Sequence, residues 1–120
     1  MKKKILVVDD EPSLRGAIVL SLKSKGFDVL EAENGMTGSD LAQEHKPDLI
    51  ITDVYMDNMN GFMMVDMLQE DPATAKIPII VMSSLAQTAG AWNSNATIEY
   101  LQKPFLNSTL MQTVDKMLKK

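Results

Sequence analysis

The chain has 120 residues, of which 45% are hydrophobic and 23% charged, and it contains no cysteine. That length supports one buried core; the lack of cysteine excludes disulfides and thiolate metal sites and fits a reducing compartment. With 12 Lys+Arg against 16 Asp+Glu the formal charge is −4, which supplies no basic face for a phosphate backbone and argues against nucleic acid as a direct partner.

The first element is the run ILVV at 5–8, short and continuously apolar, as a strand covered on both faces is. It is far too short to span a membrane, and the acids after it end any signal-peptide pattern, so no membrane association and a cytoplasmic location are expected. Leu14, Ile18 and Leu22 recur at i, i+4 and i+8 and mark a helix closed by Lys25-Gly26. DVLEAE at 28–33 alternates more and reads as an edge strand, and Asn34-Gly35 reads as a turn. Pro47 follows a second helix and Pro72 a third, in which Met63, Met64 and Met67 read as pliable core and interface filler. LII at 49–51, IPIIVM at 77–82 and the weaker IEYL at 98–101 complete the strands. AQTAGAWNSNA, with Gly90 and Trp92, predicts a weak fourth helix. Leu106, Leu110, Val114 and Met117 form the stripe of a fifth.

Strand and helix thus alternate five times, which predicts one α/β domain over 1–120, a parallel sheet with helices on both faces. In such sheets ligands sit at the carboxyl ends of the strands. There this chain places Asp9-Asp10-Glu11, Thr52-Asp53, Ser83-Ser84 and Gln102-Lys103-Pro104. Taken singly, each has an ordinary explanation: an acid near Pro12 caps a helix for about 0.3–1 kcal/mol, a serine ends a strand, and a lysine is solvated. Together, the carboxylates of Asp9, Asp10 and Asp53 on one rim raise one another's pKa unless a cation compensates them. A hard divalent ion such as Mg²⁺ is the natural one, since it takes one or two carboxylates and leaves room for water and a phosphate oxygen. Asp53 is then placed to attack phosphorus and form an aspartyl-phosphate, with Lys103 neutralising the phosphoryl oxygens and Ser83 donating to one of them.

This ordered set, VVDDEP after the first strand, D-x-x-M and N-G after the third, MSS after the fourth and EYLQKPF at the fifth, resembles the response-regulator receiver domains of two-component signalling over the whole chain. The resemblance implies five parallel strands in the order 2-1-3-4-5, in the flavodoxin-like arrangement. It implies Asp53 as phosphoacceptor, Asp10 as a direct Mg²⁺ ligand with Asp9 assisting through water, and the backbone carbonyl of Tyr55 as a further ligand. Ser83 matches the switch hydroxyl, Lys103 the family's lysine and Tyr100 the aromatic that changes rotamer on activation; a cis peptide is expected at Lys103-Pro104. A sensor histidine kinase or phosphotransfer protein is the implied donor. A downstream protein or output domain is the implied target, met through the surface of the fourth helix, fifth strand and fifth helix; receivers often form a homodimer through the face of the fourth and fifth helices.

The sequence departs from the family at Asp57, where receivers usually carry proline. A looser loop and an added negative charge there are expected to slow phosphorylation or shift metal affinity. Two other functions compete. An aspartate-nucleophile phosphohydrolase of the haloacid-dehalogenase kind would need a second acid where Tyr55 stands, and a phosphorylation-independent binding scaffold would not need every site position filled.

Overall fold

Each of the five apolar runs is a strand in the computed structural model, which describes residues 2–53, 61–83, 98–103 and 105–119, with only the backbone at 61, 62 and 83. They are β1 (Lys4–Val8), β2 (Asp28–Ala32), β3 (Leu49–Asp53), β4 (Ile79–Ser83) and β5 (Ile98–Gln102). All neighbours pair in parallel, and the order is β2-β1-β3-β4-β5. The described helices are α1 (Pro12–Ser24), α2 (Gly35–His45), α3 (Gly61–Glu70) and α4 (Asn107–Leu118). The last of these is the fifth helix of the sequence reading. The helix expected over 86–96, with Trp92, lies outside the described residues.

Alternation along the strands divides the core between two faces. Ile5, Val7, Leu49, Ile51, Ile80, Met82 and Leu101 face α1 and α4, where they meet Ile18, Val19, Leu22, Leu110, Met111, Val114 and Met117. The intervening Leu6, Val8, Ile50, Ile79, Val81 and Ile98 meet Ala42 of α2 and Met64, Val65 and Leu68 of α3. The central strands β1, β3 and β4 therefore carry unbroken apolar runs, Ile5–Val8, Leu49–Ile51 and Ile79–Met82, because both faces are covered. β2 is an edge strand as its pattern predicts. β5 is the other edge, so IEYL is less enclosed than its apolar content suggests: Ile98 and Leu101 are buried, but Glu99 and Tyr100 only partly.

Local signals set the helix ends. Gly26 (φ 92) takes the left-handed position after α1; its N–H donates to the Lys23 carbonyl and that of Phe27 to the Leu22 carbonyl, closing a Schellman turn in which Phe27 joins the Leu22 cluster. Asn34 is not merely a turn residue: its side chain accepts from the Thr37 N–H at 2.9 Å and caps α2. At helix surfaces one apolar expectation fails, that Leu106 belongs to a buried stripe, and the methionine group divides between core and surface. Leu106 precedes α4 with 71% exposure, and Met63 and Met67 lie on the outer side of α3 at 52% and 41%, leaving Met64 as the buried member of that group.

The tightest approach between layers is at Gly38 of α2. A Cβ there would stand 2.9 Å from Met64 Sδ and 2.9 Å from Val8 Cγ2. Val8 is fully buried and stiff at χ1, so it cannot move aside. Gly38→Ala is expected to lower stability by up to about 2 kcal/mol, the overpacking cost of roughly 1–3 kcal/mol set against a gain in helix propensity of about 1 kcal/mol. Gly16 has nothing within 4 Å of the same position, so Gly16→Ala should show that propensity gain alone. Denaturant midpoints of the two variants check both signs.

Candidate functional site

The register brings the site together. Val8 pairs with Thr52 and Asp53 with Met82, so Asp9 leaves β1 level with Asp53 at the end of β3. The alternation that turns Val7, Ile51 and Leu101 toward α1 and α4 carries two residues further to Asp9, Asp53 and Lys103. Lys103 can therefore reach across from the far side of β4: its Nζ lies 3.2 Å from Asp53 Oδ2 and 3.7 Å from Asp9 Oδ2. One carboxylate oxygen from each of Asp9, Asp10 and Asp53 lies within 4.8 Å of the others. Asp9 is fully buried, Asp10 exposed and Asp53 between the two.

Asp9 carries the electrostatic strain. Its Oδ1 accepts the Glu11 N–H at 2.9 Å, whereas Oδ2 is buried and accepts no hydrogen bond among the described residues. Burial pushes the carboxyl above its ordinary range; the Glu11 amide and Lys103 pull it back, and Asp53 and Asp10 push it up again. Folding therefore favours the protonated form. The charged form costs stability above both the unfolded and the folded pKa, and that cost vanishes as pH falls through the raised value toward the ordinary one. Asp9→Asn is expected to raise the melting temperature of the metal-free protein at neutral pH, with the gain shrinking in acid. A gain that does not change with pH would assign the effect to packing.

Three hard oxygen donors against one ammonium leave a net negative pocket, and the orphaned Oδ2 of Asp9 faces it. That donor set fits a hard divalent cation. Of the other residues singled out in the sequence, Ser83 ends β4 opposite Gln102, with its side chain outside the description. Tyr100, partly buried, packs against the cluster facing α2 and α3. Tyr55, Asp57 and Pro104 lie outside the described residues, and with Pro104 the expected cis peptide. Arg15 is a residue that sequence reasoning misses: its Nη1 donates to the Asp9 carbonyl at 2.7 Å and its Nε to Glu31 Oε1 at 3.2 Å. The available signal is that it is the chain's single arginine, one turn after the acidic loop.

Residues 5–115 match the family described as the response regulator receiver domain. The chain belongs to that family. Protein PilH of Pseudomonas aeruginosa is 36% identical over 117 residues, which cover 96% of this receiver and 97% of PilH. The DNA-binding dual master transcriptional regulator RpaA of Synechocystis is 32% identical over 120 residues, 98% of this chain but 49% of RpaA. Among solved structures, chemotaxis response regulator CheY4 of Vibrio cholerae is similar with a TM-score of 0.86 at 29% identity, over 98% of this chain and 99% of CheY4. The receiver thus spans nearly all of PilH and CheY4 and about half of RpaA. As a receiver domain it is a component of two-component phosphorelay signalling, in a family of switches for which Mg²⁺ and phosphorylation are standard. No helix among the described residues is long and apolar enough to cross a membrane.

Proposed function

We propose that residues 1–120 act as a single cytoplasmic receiver that takes a phosphoryl group on Asp53 from a sensor histidine kinase or phosphotransfer protein. The observation that carries this reading is the position of Lys103, 3.2 Å from Asp53 and 3.7 Å from Asp9, with Asp10 in the same cluster. A carboxylate oxygen of Asp53 forms the new O–P bond as the P–N bond of the donor histidine breaks, and the bonding pair leaves with the imidazole nitrogen. Lys103 balances charge on the phosphoryl oxygens, and Ser83 donates a hydrogen bond to one of them. Asp9, Asp10, Asp53 and the Tyr55 carbonyl would hold Mg²⁺, which when bound supplies further positive charge against the phosphoryl oxygens. Asp57, two residues after Tyr55 in the sequence, adds negative charge that slows the transfer or alters the affinity for Mg²⁺.

The acyl phosphate then biases a pre-existing equilibrium. Ser83 is drawn toward the phosphoryl group, Tyr100 changes rotamer, and the surface around β5 and the C-terminal helix is recognised by a downstream protein, an output domain or a second copy of the chain. Incubation with Mg²⁺ and a small phosphodonor, followed by intact-mass spectrometry, tests this. One phosphoryl adduct per chain, stable in mild acid and lost in base, is the expected result. Continuous release of phosphate over many turnovers would instead indicate a phosphohydrolase, and no adduct at all would indicate a phosphorylation-independent scaffold.

A further inference from the structure

We propose that Arg15 is a positioning residue for the metal-binding loop, setting the affinity for Mg²⁺ without touching the ion. The inference rests on the phosphoacceptor reading above and concerns how the loop after β1 keeps its shape. Asp10 is exposed, so packing does little to aim its carboxylate. Its direction follows from the peptide plane that joins it to Asp9.

Asp9 is held on both sides of that plane, and the plane itself is held through its carbonyl oxygen. The Asp9 N–H donates to the Ala32 carbonyl at 3.0 Å, and Asp9 Oδ1 accepts from Glu11 at 2.9 Å. The Asp9 carbonyl oxygen, which belongs to the peptide unit leading into Asp10, receives Arg15 Nη1 at 2.7 Å. Arg15 is in turn held by Glu31 of β2, whose Oε1 accepts from Nε at 3.2 Å. One planar guanidinium thus ties α1, the acidic loop and the edge strand together, a geometry that a lysine with its single nitrogen does not reproduce. The placement also runs against a local preference. A cation near the amino end of a helix opposes the helix dipole, and α1 has neither an acid in its first turn nor a side-chain cap to offset it.

Charge and position predict opposite signs. If Arg15 acted only as a nearby positive charge, its removal would tighten Mg²⁺ binding. If it acts by holding the loop, removal loosens the ligand set and weakens binding, by roughly 10-fold on the scale of other outer-sphere partners. Mg²⁺ affinity measured by calorimetry, or by amide shifts of the loop without any phosphodonor, is expected to fall about 10-fold in Arg15→Ala. Arg15→Lys, which keeps the charge and serves if the alanine variant is too unstable, should weaken binding nearly as much. Arg15→Ala combined with Glu31→Ala should be no weaker than Arg15→Ala alone, since both act through one contact; a pure charge effect would return the pair to wild-type affinity. At saturating Mg²⁺ the rate of phosphorylation should recover. Unchanged or tighter binding in Arg15→Ala, or full recovery in Arg15→Lys, would overturn the inference while leaving the phosphoacceptor reading intact. Absence of Mg²⁺ binding in the wild-type chain would overturn both.

Discussion

Asp53→Asn is expected to accept no phosphoryl group from a small donor, and the wild-type chain is expected to accept one. The amide is nearly isosteric with the carboxylate but offers no anionic oxygen to phosphorus, so the acyl phosphate cannot form. The substitution should not disturb the fold. β3 keeps its pairing with β1 and β4, and the bond from Thr52 Oγ1 to the Asp53 carbonyl uses backbone on the Asp53 side. Losing one of three acids also relieves repulsion on Asp9. The metal-free variant should therefore melt no lower than wild type and gain less from added Mg²⁺. Intact mass after incubation with donor and thermal melts with and without Mg²⁺ measure both effects; an undiminished adduct would place the phosphoacceptor elsewhere.

Lys103→Met should fail in two separable ways. Chemically, it removes the ammonium 3.2 Å from Asp53 Oδ2, and losing one preorganised group of this kind costs about 10²-fold in rate. Energetically, it leaves Asp9, Asp10 and Asp53 without their cation. A fully buried pair broken on one side costs roughly 3–5 kcal/mol, but Lys103 retains 19% exposure and Asp53 15%, so a loss of about 1–2 kcal/mol is expected once solvent screening is allowed for. Mg²⁺ should restore much of that stability, because it binds the folded cluster preferentially and supplies the missing charge. It should not restore the rate. Thermal melts across a Mg²⁺ titration, alongside labelling at saturating Mg²⁺, separate the two; a rate that recovers with Mg²⁺ would reduce Lys103 to a structural counter-ion.

Much of the site is legible in the chain because parallel α/β folds place chemistry at strand ends, and strand ends are visible where an apolar run stops. Asp9, Asp10, Asp53 and Lys103 are found in this way, and β1, β3 and β4 are plain because both faces of a central strand must be apolar. Helical faces are less legible. Met63, Met64 and Met67 are one residue type at helical spacing, yet only the packing of α3 against α2 and the sheet decides that Met64 is inside. Asn34 reads as a turn from its neighbour Gly35, and its capping role depends on where α2 begins.

What the amino-acid order determines by itself is the alternation of strands and helices, and hence the kind of residue that arrives at each strand's carboxyl end. What only the tertiary structure decides is which of those residues meet. Asp9 and Asp10 are neighbours of the same residue type, and the period of two along β1 turns Asp9 into the core beside Lys103 and leaves Asp10 in solvent. The order β2-β1-β3-β4-β5 brings Lys103 from the edge strand to Asp53 and sets Arg15 between the acidic loop and Glu31. The Lys103–Asp53 and Arg15–Glu31 contacts join segments that are distant in the chain. No local pattern encodes them, because they arise from register and crossover, which become definite only when both faces of the sheet are covered.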